Sequence, residues 1–273
     1  MQRTLMSRTF TTVLMAALAL PSLTHAEETV PPAPLTANLG LVSNYVFRGI
    51  SQSQNEGAVQ GGVDYAYENG LYVGFWGSTV DWVNRSDVRY KTHNQLEADL
   101  YGGYKLPLGQ FTLDIGAVQY YYLGNDQGLN KGSAGGQIRT PDTLEGYVGL
   151  SYGVLSLKYN QVLSRSFIGW GGSSDPNKSN EGTEYIDLTA TVPLNKKVEV
   201  LAHVGRQIVK NYYQASYTDY LLGATYDPGF GVFGLNVTGT DTQENCGKGI
   251  GAYCWNGKNV AKQAVFASYL KTF

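Results

Sequence analysis

Twelve ionisable side chains stand where strand-like stretches alternate polar with apolar residues. The acids are Asp64, Glu97, Asp99, Asp114, Glu145, Asp187, Glu199 and Asp219; the bases are Arg48, Lys158, His203 and Arg206. Side chains alternate across a β-strand, so each stretch collects such residues on one face. Charges lining a pore set its ion preference, and here acids outnumber bases, which predicts a weak preference for cations. The competing expectation is a filled interior where the same groups pair across the lumen of a narrow barrel. Arg48 carries the same choice in miniature. Its planar guanidinium can hold an anionic solute, or it can pair with an acid and set loop geometry.

Other chemistry finds little material. His93 and His203 are the only histidines after residue 26, and neither lies in a nucleophile or zinc-protease pattern, so no catalytic residues, metal or cofactor are expected. GNDQGLNKG at 124–132 lacks the carboxylate spacing of a calcium loop. Cys246 and Cys254 enclose seven residues, and in an exported chain such a pair predicts a disulfide that stiffens an exterior loop.

The elements that must position these residues read as twelve strands, near residues 37–48, 57–67, 71–80, 94–105, 110–122, 143–152, 154–165, 183–193, 198–207, 216–227, 231–240 and 262–273. Their connections alternate in length. Glu68-Asn69-Gly70, Leu106–Gly109, the Gly153 corner, Leu194–Lys197 and Asp227–Phe230 predict tight turns. Long polar loops fall at 49–56, 81–93, 123–142, 166–182, 208–215 and 241–261. Apolar sets such as Phe111, Leu113, Ile115 and Ala117, or Ile186, Leu188, Ala190 and Val192, would face lipid. The predicted fold is an all-β, transmembrane, antiparallel barrel of twelve strands rather than a soluble sandwich, with both termini on the periplasmic side.

The ends agree. Arg3 and Arg8, the apolar run Val13–Leu20 and Thr24-His25-Ala26 predict a signal peptide over 1–26, followed by a flexible lead-in over 27–36 and the barrel over 37–273. Without Arg3 and Arg8 the chain has 18 basic against 22 acidic residues, a net charge of −4. That disfavours nucleic acid as a partner. No later apolar run approaches the ~18 residues of a membrane helix, and 21 Tyr with 34 Gly suit a strand-crossing protein. VFASYLKTF at the end carries Tyr269 and Phe273 on one face, as a signal for barrel-assembly machinery would, with Lys271 placed to snorkel.

SNYVFRGISQSQ (43–54) and AVQGGVDYAYENGLYVGFWGS (58–78), with DLYGGYKL, FTLDIGAVQYYYLG, LEGYVGLSYGVLSLKY and the final Lys-Thr-Phe, resemble the TorF-type porin family, also known as the conserved hypothetical Gcw proteins. The resemblance spans the chain after residue 26, and its first block is the most distinctive. Leu123 departs from it, standing where a proline would be expected. It implies a barrel in the outer membrane of a Gram-negative bacterium, in contact with outer-membrane lipid and passing small hydrophilic solutes or ions, and leaves the solute unnamed. A structural or surface-binding barrel with a filled lumen, in which ordered aromatic loops such as SFIGWGG (166–172) are the working part, is the alternative. A lone twelve-strand barrel closes on itself, so a monomer is expected.

Overall fold

A computed structural model describes residues 34–82, 95–123, 141–168, 170, 178–255 and 257–273. The predicted signal peptide and nearly all of the lead-in lie outside these residues, as do most of the predicted loops 81–93 and 123–142 and residues 169 and 171–177 of loop 166–182. Twelve strands form the wall: β1 (Leu35–Val42), β4 (Ala58–Ala66), β5 (Leu71–Thr79), β6 (Leu96–Leu108), β7 (Phe111–Tyr122), β8 (Thr143–Tyr152), β9 (Leu155–Val162), β10 (Glu184–Pro193), β11 (Val198–Ile208), β12 (Tyr217–Tyr226), β13 (Val232–Thr240) and β16 (Ala264–Thr272). Four two-residue strands lie in loops: β2 (Val46–Phe47) with β3 (Ile50–Ser51), and β14 (Cys254–Trp255) with β15 (Lys258–Asn259).

Every wall strand pairs antiparallel with its neighbours, and β1 closes the ring by pairing with β4 on one side and β16 on the other. Closure excludes a sandwich, because no strand edge is left unpaired. The alternation read from sequence is the physical wall. Leu41, Phe75, Leu100, Ile115, Leu157, Leu188, Leu222 and Leu235 point outward and are largely exposed. Each gains ~1.5–3 kcal/mol on transfer from water to an apolar surrounding, so this outer face is a lipid face. Outward aromatics gather near the short turns, where Tyr65 meets Tyr67, Phe111 meets Tyr152 and Phe233 meets Tyr269. Tyr121 and Tyr220 stand toward the other end. Rings at such levels suit the headgroup region.

Strand boundaries differ from the sequence reading chiefly in two places. β1 begins at Leu35, taking two residues from the predicted lead-in. It ends at Val42, and residues 43–48 leave the wall. The reason is visible in the burial: Tyr45, Val46, Phe47 and Ile50 are all buried, a run that cannot alternate between lipid and lumen. Instead the chain turns into the barrel.

Candidate functional site

The inward segment is a hairpin built from an apolar pair, a two-residue turn and a return strand. Phe47 pairs with Ile50, and Arg48 and Gly49 have φ of +48° and +76°. Two left-handed residues in succession fit the twist of a tight hairpin. Gly49 is needed on a second ground as well, since a Cβ there would lie 2.6 Å from Asp219 Cβ and 2.7 Å from Thr240 Cγ2. The turn therefore rests against the barrel wall.

Val46 packs with the inward residues Leu201, Leu221 and Phe266. Tyr45 and Phe47 join Val118, Tyr120 and Tyr122 on one side of the lumen, while Ile50 joins Val209, Tyr217, Tyr253 and Val260 on the other. The strands' return is tied down by Ser51 N–H donating to Val260 O (2.8 Å) and Asp81 N–H donating to Gln52 O (2.9 Å). Ser51, Gln52, Ser53 and Gln54 are all buried. SNYVFRGISQSQ, the most family-like block, is thus the segment inside the barrel.

Arg48 holds the hairpin tip. Its Nη1 and Nη2 donate to Glu145 Oε1 and Oε2 at 3.0 and 2.7 Å, and Nη1 also donates to Gln207 Oε1 at 3.1 Å. The guanidinium carbon lies 4.7 Å from the Phe47 ring centroid and 4.2 Å from that of Tyr185. Side-chain exposures of 8% for Arg48 and 1% for Glu145 place this bidentate pair out of water, where such geometry is strongest. Of the two readings of Arg48, pairing with an acid is the one observed.

Below the tip lies a charged network toward the short-turn end. His203 Nδ1 is 2.6 Å from Asp187 Oδ2 and its Nε2 2.8 Å from Asp219 Oδ2, so a ring with a proton on each nitrogen donates to both. Tyr185 OH donates to Asp219 Oδ1 at 3.0 Å, which connects this triad to the ring beneath Arg48. Tyr101 OH donates to Asp64 (2.5 Å) and Tyr72 OH to Asp114 (2.6 Å), with Tyr72 also bonded to Tyr147. Lys158 Nζ lies 3.8 Å from the Tyr147 ring centroid, and Lys105 Nζ 4.6 Å from that of Tyr72. Asp64, Lys105, Asp114, Lys158, Asp187 and His203 are only partly buried, so this half of the lumen is not an apolar core.

Eleven of the twelve predicted lining residues face inward. Arg206 does not: on β11 it is an odd number of residues from His203, so alternation puts it on the outer face, where it bonds Thr218 Oγ1 (3.0 Å) and approaches Asp241 (3.7 Å). Lys105 and Gln207 were missed by sequence. Lys105 was recoverable, because it shares parity with Glu97 and Asp99. The loop half of the lumen is filled, largely by the apolar side chains of the hairpin.

Aromatic residues from other loops close over that half. Trp170 approaches Tyr212 and Tyr253 at 6.0 and 5.8 Å, and Phe167 is buried beside them. Cys246 and Cys254 form the predicted disulfide. Its loop does more than project outward, as Tyr253 within it is buried and donates to Ala215 O at 2.5 Å. At the wall's last strand, Tyr269 faces outward and donates to Phe230 O (3.1 Å), while Phe273 is exposed. Among the described residues no group of three His, Cys, Asp or Glu is placed to hold a metal ion.

A family model described as "Bacterial protein of unknown function (Gcw_chp)" matches residues 26–273. The chain belongs to this family. Among solved structures, this Gcw_chp barrel is similar to one described as the KdgM porin (TM-score 0.51, 6% identity, 87% of this chain and 98% of that chain). It is also similar to the NanC porin (TM-score 0.50, 13% identity, 87% and 98%). At such identities the likeness is one of fold, and the fold is that of porins. No curated protein matches the chain by sequence.

Proposed function

We propose that this Gcw_chp protein is an outer-membrane channel of TorF-type porin character, passing small hydrophilic solutes or ions with a weak preference for cations, and that the hairpin at Val46–Ser51 controls passage. The observation that carries this reading is the contrast between the lumen's two halves. Toward the short turns the interior is lined by partly exposed charges, which a merely structural barrel would have no need to keep wet. Toward the loops it is filled by one compact hairpin, with aromatic residues of other loops packed against it. Acids still outnumber cationic groups on the inner face once Arg206 is removed and Lys105 added, which supports the cation preference.

In this reading the termini lie in the periplasm, the short turns with them, and the long loops face outward. Tyr269 and Phe273 serve as the signal for the assembly machinery, and the barrel works as a monomer. The aromatic lid of Phe167, Trp170, Tyr212 and Tyr253 favours a second reading, a surface-binding barrel that stays shut.

Recording from the refolded protein in planar bilayers separates the two. The channel reading expects unitary steps, with a reversal potential favouring cations, that become larger or more frequent when residues 46–51 are replaced by Gly-Ser. Silence in both proteins, with a heat-modifiable gel band proving that each is folded, would refute it.

A further inference from the structure

Among the described residues, two carboxylates in the lumen wall have no counter-charge. Glu97 and Asp99 are two residues apart on β6 and therefore share its inner face. They are 3% and 0% exposed. Neither forms a salt bridge among the described residues; both oxygens of Asp99 and Oε2 of Glu97 are sealed from solvent without a hydrogen-bond partner, and Glu97 has only the neutral hydroxyls of Tyr45 and Tyr122 beside it. Arg48, brought into this half of the lumen by the hairpin, has both Nη atoms committed to Glu145.

The surroundings are aromatic. Asp99 lies in register with Trp76 on β5 and Tyr120 on β7. Tyr45, on the segment leading into the hairpin, sits edge-on to Trp76 at 5.6 Å, with its hydroxyl buried beside Glu97. Taking an ion out of water costs several kcal/mol unless it is paired. Two adjacent acids left in this way describe half of an interaction.

We propose that Glu97, Asp99 and the rings of Tyr45, Trp76 and Tyr120 form a binding site for an organic ammonium ion. Aromatic rings attract such a cation, Trp most of all, and carboxylates neutralise it. A divalent metal fits less well, because calcium or magnesium wants six or more oxygen ligands and no three carboxylates here are placed for one. Because Tyr45 belongs to the hairpin segment, the ligand would also touch the element that closes the lumen. Both oxygens of Asp99 are sealed while the hairpin is in place, so entry of the ligand requires the segment carrying Tyr45 to shift and the lumen to be reachable by solutes, as the channel reading holds; occupancy does not require conduction.

The test is a titration of the refolded protein in detergent micelles with tetramethylammonium chloride, followed by tryptophan fluorescence and unfolding temperature. Sodium chloride and calcium chloride at matched ionic strength serve as comparisons. The wild type should show a saturable fluorescence change and a rise in unfolding temperature with tetramethylammonium alone. Asp99→Asn and Glu97→Gln should weaken binding at least tenfold, and Trp76→Leu, which leaves both carboxylates in place, should weaken it too. No saturable response in the wild type, an unchanged response in the three variants, or an equal response to calcium would each overturn the assignment. Binding in micelles without conductance in bilayers would instead sink the channel reading and leave the site standing, whereas conductance without binding would do the reverse.

Discussion

Replacing Arg48 by glycine should release the hairpin without unfolding the barrel. Glycine accepts the φ of +48° that arginine adopts only at a cost of ~1–2 kcal/mol, so the turn itself survives and only the side-chain contacts are lost. Those contacts are two hydrogen bonds to Glu145 and one to Gln207. Glu145, 1% exposed, is left as an unpaired charge, and breaking such a buried pair from one side costs ~3–5 kcal/mol. Relief of the turn offsets ~1–2 kcal/mol of this, leaving about 1–4 kcal/mol against the closed state. At ~1.4 kcal/mol per decade, the open population rises by about 5- to 700-fold. Amide hydrogen exchange should report the change as lost protection across 43–57 with the wall strands unaltered. Arg48→Met combined with Glu145→Leu, which removes both charges and keeps the volume, should restore much of the protection. Unchanged exchange in Arg48→Gly, or loss spread equally through β6–β12, would refute the latch.

Gly49→Ala places a methyl group against Asp219 and Thr240 and an L-residue at φ +76°; a penalty of about 2–4 kcal/mol should displace the same hairpin, again read by hydrogen exchange. His203→Gln leaves Asp187 and Asp219 without their shared partner and should lower stability by about 2–3 kcal/mol, measured as a shift of the guanidinium midpoint, with Asp187→Asn restoring part of it. Replacing Cys246 and Cys254 by serine opens a loop closed over a separation of 8 residues, worth about 2.5 kcal/mol by loop entropy. The effect should be local: faster proteolysis within 241–263 and an unchanged melting temperature of the barrel.

The wall was legible because membrane strands obey one short rule. A period of two, with apolar residues on the lipid side, is enforced at every strand by the absence of water outside, so β7, β8 and β10 could be placed within a residue of where they lie. The same rule should have excluded Arg206, whose parity conflicts with His203. The hairpin escaped because a Val46-Phe47-Arg48-Gly49-Ile50 stretch reads equally as the top of a strand. Arginine seldom takes the left-handed conformation that makes it a turn, and only the contacts waiting on β8, β10 and β11 hold it there.

The sequence by itself determined the barrel, its twelve strands, the alternation of short turns with long loops and most of the residues that face the lumen. These follow from local periodicity, which each strand carries alone. Tertiary structure decided how the lumen is filled. Whether Arg48 meets a solute or Glu145, and whether Glu97 and Asp99 find a partner, depends on residues far apart in the chain that only closure of the ring brings together.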